Sequence, residues 1–344
     1  MTDYEVRTDL AIESAQMFSE KHGSLKGVSV EESEGAGSSI HVTCVRILNE
    51  EGAKALGKAV GDYITLDVPE LDRADGDYHR EITTELMHQL KKLVPDIAEK
   101  EVLVAGVGNR EVSPDALGPM VTDHLFITRH LVEEYGKESE VTKGLGCISA
   151  LSPGVMAQTG IETREILMGT IRETNPDLLI VVDALAARSV SRLNKTIQMT
   201  NTGIAPGAGI GNQRFGIDEE TMGVPVIAIG IPTVIDAATI VNDTMERLLG
   251  VLSEKKPKEI ASAGKENDKA DNERDAGGED KTGIHKIYNA VSPFDYQQRY
   301  QLMRELMEPE MMNMFVTPKN IDEIVVQMSY TVSEAINSLC HQGV

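Results

Sequence analysis

Short apolar runs alternate along this chain with amphipathic stretches, and the alternation predicts its architecture. "EVLVAGVGN" (101–109), "CISALSPG" (147–154), "DLLIVVDAL" (177–185) and "VPVIAIGIPT" (224–233) are apolar runs punctuated by Gly, Pro or Asp, the pattern of strands buried on both faces. Between them, "SPDALGPMVTDHLFITRHLVEEYG" (113–136) predicts a helix opened by Ser113 and Pro114, and 161–176 and 234–252 predict two more. Strands alternating with helices imply a mainly parallel sheet covered on both faces. Upstream, residues 25–68 read as short strands, with "SIHVTCVRIL" (39–48) partly alternating. Ile82, Leu86, Leu90 and Leu93 mark a helix within 74–98. "TIQMT" (196–200) precedes a glycine-rich loop at 203–213. Ile321, Ile324, Val325, Met328, Val332, Ile336 and Leu339 stripe a terminal helix over 317–341, with Thr317 as cap and Pro318 as its start. That helix is expected to dock on the main body. Residues 253–283 hold mixed charge with almost nothing to bury, so a disordered surface insertion is expected there.

Composition narrows the class. Hydrophobics at 41% and charged residues at 26% suit a globular protein, and 344 residues suffice for one large core or two smaller ones. Trp is absent and aromatics are 4%, so the core rests on Ile, Val, Leu, Met and Ala, with the 15 Met as filler. A net charge of −22 repels nucleic acid and anionic membranes, so neither is expected as a partner. Cys44, Cys147 and Cys340 are scattered, without C-x-x-C, which argues for a reducing compartment and against a disulfide framework or structural zinc. No secretory signal and no apolar run of transmembrane length occurs. A cytoplasmic location is expected.

Few motifs carry chemistry. "GVGNRE" (106–111) lacks the third glycine of a dinucleotide turn, and no long apolar strand runs into "GAGIGN" (207–212). Cys147 has no evident His partner for nucleophilic catalysis. Asp123 and His130 would share a helix face, a spacing commoner for surface pairing than for a metal site. Two aspartates remain. Asp115 opens the helix after "EVLVAGVG", and Asp183 closes the run "LLIVV", followed by small residues and Arg188. Both fall at carboxyl ends of strands, where α/β proteins place their sites. Two carboxylates converging there could share a proton, one acting as acid and the other as base on water. Each could equally be a helix N-cap, and spacing by itself does not decide.

These same residues carry a resemblance. "VRTDLAIE", "GVGNREVSPDALGP", "ITRHL", "SPGVMAQTGIET", "NPDLLIVVDALAARS", "GIPTVIDA" and "MFVTPKNID" run in order from residue 6 to about 323, and together the chain resembles the germination protease family of endospore-forming bacteria. The resemblance implies an α/β fold like that of hydrogenase maturation proteases, with added N-terminal strands and C-terminal helices. It implies a cytoplasmic, homotetrameric endopeptidase of aspartic type, without cofactor or bound metal, made as a zymogen in the developing spore. Its expected substrates are small acid-soluble spore proteins, degraded at germination. The family's proposed catalytic aspartates fall on Asp115 and Asp183. Its substrates are cut after an acidic residue, before a large apolar residue and Ala, and Asp9, Leu10 and Ala11 repeat that pattern. Self-cleavage between Asp9 and Leu10 is therefore expected. The implied organisation is a propeptide (1–9), an α/β peptidase core (10–252), the charged insertion (253–283) and a C-terminal helical extension on the core (284–344). Two alternatives stay open: a metal-assisted maturation-type endopeptidase, and a noncatalytic nucleotide-binding or scaffold protein.

Overall fold

In the computed structural model, the apolar runs of 101–236 form the parallel half of one sheet. The structure describes residues 8–22, 26–35, 39–71, 76–205, 216–254, 290–308, 311 and 314–341. The strands are β1 (Val28–Glu34), β2 (His41–Ile47), β3 (Gly61–Asp67), β4 (Glu101–Gly106), β5 (Cys147–Leu151), β6 (Leu178–Ala187), β7 (Thr196–Thr200) and β8 (Val226–Asp236). Their order is β1-β2-β3-β7-β8-β6-β4-β5. β5, β4, β6 and β8 run parallel, while β7, β3, β2 and β1 extend the sheet antiparallel. The parallel strands are connected through helices, as parallel pairing requires.

By contact the described residues divide into two units, those within 8–235 together with 316–341, and those within 236–315. In the larger unit, strand alternation sorts side chains to two faces. Val102, Val104, Ile180, Val182, Ile197 and Met199 enter the main core cluster. Over that face lie α3 (Gly76–Leu93), α4 (Leu117–Asp123) and α11 (Ile321–Cys340). The α11 stripe is buried there in full, as is the Ile82–Leu86–Leu90 edge of α3. On the other face, Leu103, Ala105, Leu179 and Val181 pack with Leu167 and Ile171 of α7 (Thr163–Thr174) and Met222 of α8 (Glu219–Met222). Further along, Val45, Tyr63, Leu185 and Ala187 pack with Leu10 and residues of α1 (Ala11–His22) and α2 (Glu50–Leu56).

Two expected elements are corrected. The helix expected over 113–136 is a 3-10 turn at Ser113–Asp115, then α4, then α5 (Arg129–Tyr135). Asn337 of α11 causes the break: its side chain accepts from Phe126 N at 2.9 Å and donates to His124 O at 3.1 Å, replacing helical partners. The terminal helix begins at Ile321 rather than at Pro318. Thr317 does not cap it, because its hydroxyl donates to Thr233 O at 2.8 Å.

The smaller unit holds α9 (Ala237–Glu254) and α10 (Tyr296–Leu306). Asp236 joins them. One carboxylate oxygen accepts from Ala238 N at 2.8 Å and caps α9. The other accepts from Tyr300 Oη at 2.9 Å and Arg304 Nη1 at 3.4 Å. Burial, with Asp236 nearby, pushes the Tyr300 phenol up to about 12. The insertion expected at 253–283 and most of the glycine-rich loop at 203–213 lie outside the described residues.

Candidate active site

Asp183 faces the side of β6 that carries Leu179 and Val181, four and two residues earlier. It is 6% exposed, and its Oδ1 accepts from Ala184 N at 2.9 Å. Expected to end its strand, it lies within it: β6 runs on to Ala187. The reason is one-sided pairing. β4 leaves the ladder at Gly106 opposite Val182, whereas β8 continues beside β6 to Ile235. Asp183 thus sits at the point where the sheet opens on its β4 side.

Asp115 occupies the adjoining loop. Val107 N still donates to Val182 O at 2.8 Å, and then Gly108 turns at φ +119°. A Cβ on Gly108 would lie 2.0 Å from Asp115 O, so only glycine admits the 113–115 turn this closely. Asp115 Oδ2 accepts from Asn109 N at 2.7 Å, and Thr233 of β8 donates to Pro114 O at 2.6 Å. Of the two aspartates expected at strand exits, Asp115 follows the exit of β4, whereas Asp183 lies inside β6 beside the point where β4 ends.

Beside Asp183 lies a cavity of about 260 Å³ lined by Asp9, Lys58, Tyr63, Gln198 and Gly230 among others; Asp115 is not among its lining residues. The chain's own Asp9 enters it, in the turn that leads from Thr8 into α1 and lies against β6 and β7. Asp9 N donates to Ala186 O at 3.1 Å, and Asp9 Oδ2 accepts from Ala186 N at 2.8 Å. Gln198 grips the next peptide, accepting from Ala11 N at 2.7 Å and donating to Asp9 O at 3.1 Å. Leu10 is 0% exposed among Val45, Ile47, Leu56, Tyr63 and Leu185, and Ala11 is equally buried. Full burial of a leucine contributes about 1.5–3 kcal/mol. Half-buried Lys58 donates to Thr8 O at 3.4 Å. Burial lowers its pKa below the ordinary ammonium value, against the pull of Asp9 and Glu13.

Glu13 of α1 locks the segment. Its carboxylate accepts from Arg188 N at 2.8 Å, Ser189 N at 2.9 Å and the Thr8 hydroxyl, with Arg192 Nε 3.9 Å away. Burial raises its pKa, partly offset by those bonds. The turn after β6 thus receives α1 through the backbone N–H groups of Arg188 and Ser189.

Sequence reading missed Gln198 and Lys58. A signal for Gln198 exists: in "TIQMT", Ile197 and Met199 face the main core, which turns Thr196, Gln198 and Thr200 to the opposite, Asp183 side. Nothing in "LGKAVG" marks Lys58. Asp123 and His130 share no helix, and Asp123 instead pairs with both terminal nitrogens of Arg110. Cys147 is buried with its thiol pKa raised by that burial. Among the described residues no cluster of three His, Cys, Asp or Glu side chains could hold a metal, and no helix is long and apolar enough to cross a membrane.

An α/β sheet with a buried carboxylate beside a cavity that the chain's own Asp9 lines is a candidate peptide-binding site. Comparison with known proteins gives its kind. The family model for germination protease matches residues 5–344. A germination protease of Caldanaerobacter subterraneus subsp. tengcongensis is 40% identical over 342 residues, covering 98% of this chain and 95% of that one. One of Clostridium perfringens (strain ATCC 13124) is 40% identical over 335 residues, covering 97% and 94%. One of Bacillus cereus (strain G9842) is 35% identical over 356 residues, covering 100% and 96%. Among solved structures, a NiFe hydrogenase maturation protease HycI from Thermococcus kodakarensis KOD1 is 19% identical, covers 41% of this chain and 80% of that one, and has a TM-score of 0.27. The chain belongs to the germination protease family, and it is a peptidase.

Proposed function

We propose that the cleft at Asp183 is the catalytic centre of an endopeptidase that degrades small acid-soluble spore proteins at germination, and that the chain as written is its zymogen. The observation that carries this reading is the location of the Asp9–Leu10 peptide bond: its acidic side lines the same cavity as Asp183. Its apolar side is sealed in a cluster of Val45, Leu56, Tyr63 and Leu185. An acidic residue, a large apolar residue and a small one are each met by matching surroundings, which supports a substrate pattern of that kind and self-cleavage between Asp9 and Leu10. The spore-core cytoplasm would be its location, and a homotetramer its assembly.

In this mechanism a carboxylate takes a proton from water as the water attacks the carbonyl carbon. A carboxyl group then protonates the leaving amine. In this reading Asp183, in the cavity, and Asp115, in the loop after β4, divide those roles. Asp183→Asn and Asp115→Asn are each expected to lower cleavage of a purified small acid-soluble spore protein by at least about 10²-fold while the unfolding transition stays in place. Gel analysis with thermal unfolding checks it. Normal cleavage by both variants would remove the assignment.

A further inference from the structure

The carboxylate pair accounts for proton movement but not for the charge that gathers on the carbonyl oxygen. Hydrolysis of an amide passes through a tetrahedral intermediate whose former carbonyl oxygen is anionic, and stabilising that oxygen is often the largest single contribution to the rate. Among the described residues, Gln198 is a side chain that donates to the carbonyl oxygen of Asp9, with Nε2 3.1 Å from it. Resting on the reading that Asp9–Leu10 is the bond cut, we infer that Gln198 is a catalytic residue, whose amide N–H stabilises the developing oxyanion.

Three features of the sheet support the role. First, register lines up the reacting groups: Asp183 of β6 pairs with Gly230 of β8, and Gly230 pairs with Gln198 of β7. Directly paired residues project from the same face, so the carboxylate and the amide flank a residue with no side chain, their strands about 10 Å apart. Leu185 covers Gly230 between them, and the cavity lined by Asp183, Leu185, Gln198 and Gly230 is where a water and a peptide carbonyl would meet. Second, the amide is oriented. Its Oε1 accepts from Ala11 N at 2.7 Å, which leaves Nε2 directed at Asp9 O. Third, Gln198 is 6% exposed, in a strand held on both sides by β3 and β8. A donor held in place beforehand and shielded from water stabilises charge more strongly than a mobile one.

The step balances as follows. Water oxygen bonds to the Asp9 carbonyl carbon, the C=O π pair moves to oxygen, and one water proton passes to the carboxylate base. Gln198 Nε2–H donates to the resulting oxyanion. The oxygen pair then re-forms the double bond, the C–N bond breaks, and Leu10 nitrogen takes a proton from the carboxyl acid. The products are the Asp9 carboxyl group and the Leu10 amine. The same amide would serve the small acid-soluble spore proteins when they replace the segment.

The test uses the full chain and follows maturation by mass spectrometry, with thermal unfolding as a check on folding. In the unaltered protein, a new N-terminus at Leu10 is required. Gln198→Leu should then mature about 10²- to 10³-fold more slowly. Gln198→Glu keeps an acceptor for Ala11 N but, when ionised, places no donor at Asp9 O. Relative to the unaltered protein, its rate should be low at neutral pH and recover as the carboxyl protonates in acid. Maturation of a folded Gln198→Leu within a few-fold of the normal rate overturns Gln198 while leaving the cleavage site standing. If Gln198→Leu fails to fold, the absence of acid recovery in Gln198→Glu overturns it instead. A new N-terminus other than Leu10 in the unaltered protein refutes the cleavage site itself, and the role of Gln198 with it.

Discussion

At the scale of the residue, the site depends on one missing side chain as much as on those present. A Cβ at Gly230 would lie 2.5 Å from Cγ and Cδ1 of Leu185, and Leu185 is part of the apolar wall around Leu10. Gly230→Ala therefore crowds the gap between Asp183 and Gln198 and displaces the wall that seats the residue after the proposed cut. The expected cost in stability is about 1–3 kcal/mol, as for other overpacked cores. Cleavage should fall by more than the loss of stability explains. Urea unfolding beside a cleavage assay checks both, and unchanged cleavage would show that the gap is not used. The aspartates themselves were legible in sequence because a carboxylate at the end of a buried run is conspicuous. Gln198 was not, because one polar residue in a five-residue strand has no meaning until its neighbours across the sheet are known.

At the scale of the element, α1 is held by its acid. Glu13 is 1% exposed and receives two backbone N–H groups from the turn after β6. Its pKa in the folded protein is raised by burial. The folded state thus holds this proton more tightly than the unfolded chain. Its contribution to stability is fully present below the unfolded carboxyl pKa and is lost as pH rises through the raised folded value. Glu13→Gln should remove that slope from a plot of unfolding free energy against pH. It should also lower stability by about 1–3 kcal/mol, since its NH₂ group must face one of those N–H donors. Denaturant titrations across the acidic range measure both, and a slope unchanged from the unaltered protein would refute the role given to Glu13. Because α1 follows directly on Asp9–Leu10, the same variant should mature more slowly. Helix stripes were legible from spacing alone, as α3 and α11 demonstrate. Helix ends were not: the break after α4 is set by Asn337, far away in sequence, and the start of α11 by a hydroxyl already engaged with Thr233.

At the scale of the whole molecule, the resemblance implies four copies acting together. Light scattering after size-exclusion chromatography should give a mass four times that of the 37.4 kDa chain at micromolar concentration. Monomer alone would refute the tetramer. By itself the sequence determined the α/β class, the order of the strands between residues 101 and 236 and the family, and it singled out Asp115 and Asp183 as candidates. Each of these is written in local periodicity or in short contiguous motifs, which need no knowledge of distant partners. Tertiary structure decided the rest. Pairing of β7 between β3 and β8 brings Gln198 level with Asp183, and the run of β8 past β4 leaves Asp183 inside its strand yet open on one side. Docking of residues 8–11 along β6 and β7 brings Asp9 into the cavity that Asp183 lines. Such placements depend on register between strands remote in the chain, and register is chosen by the packing of whole faces, which no single segment encodes.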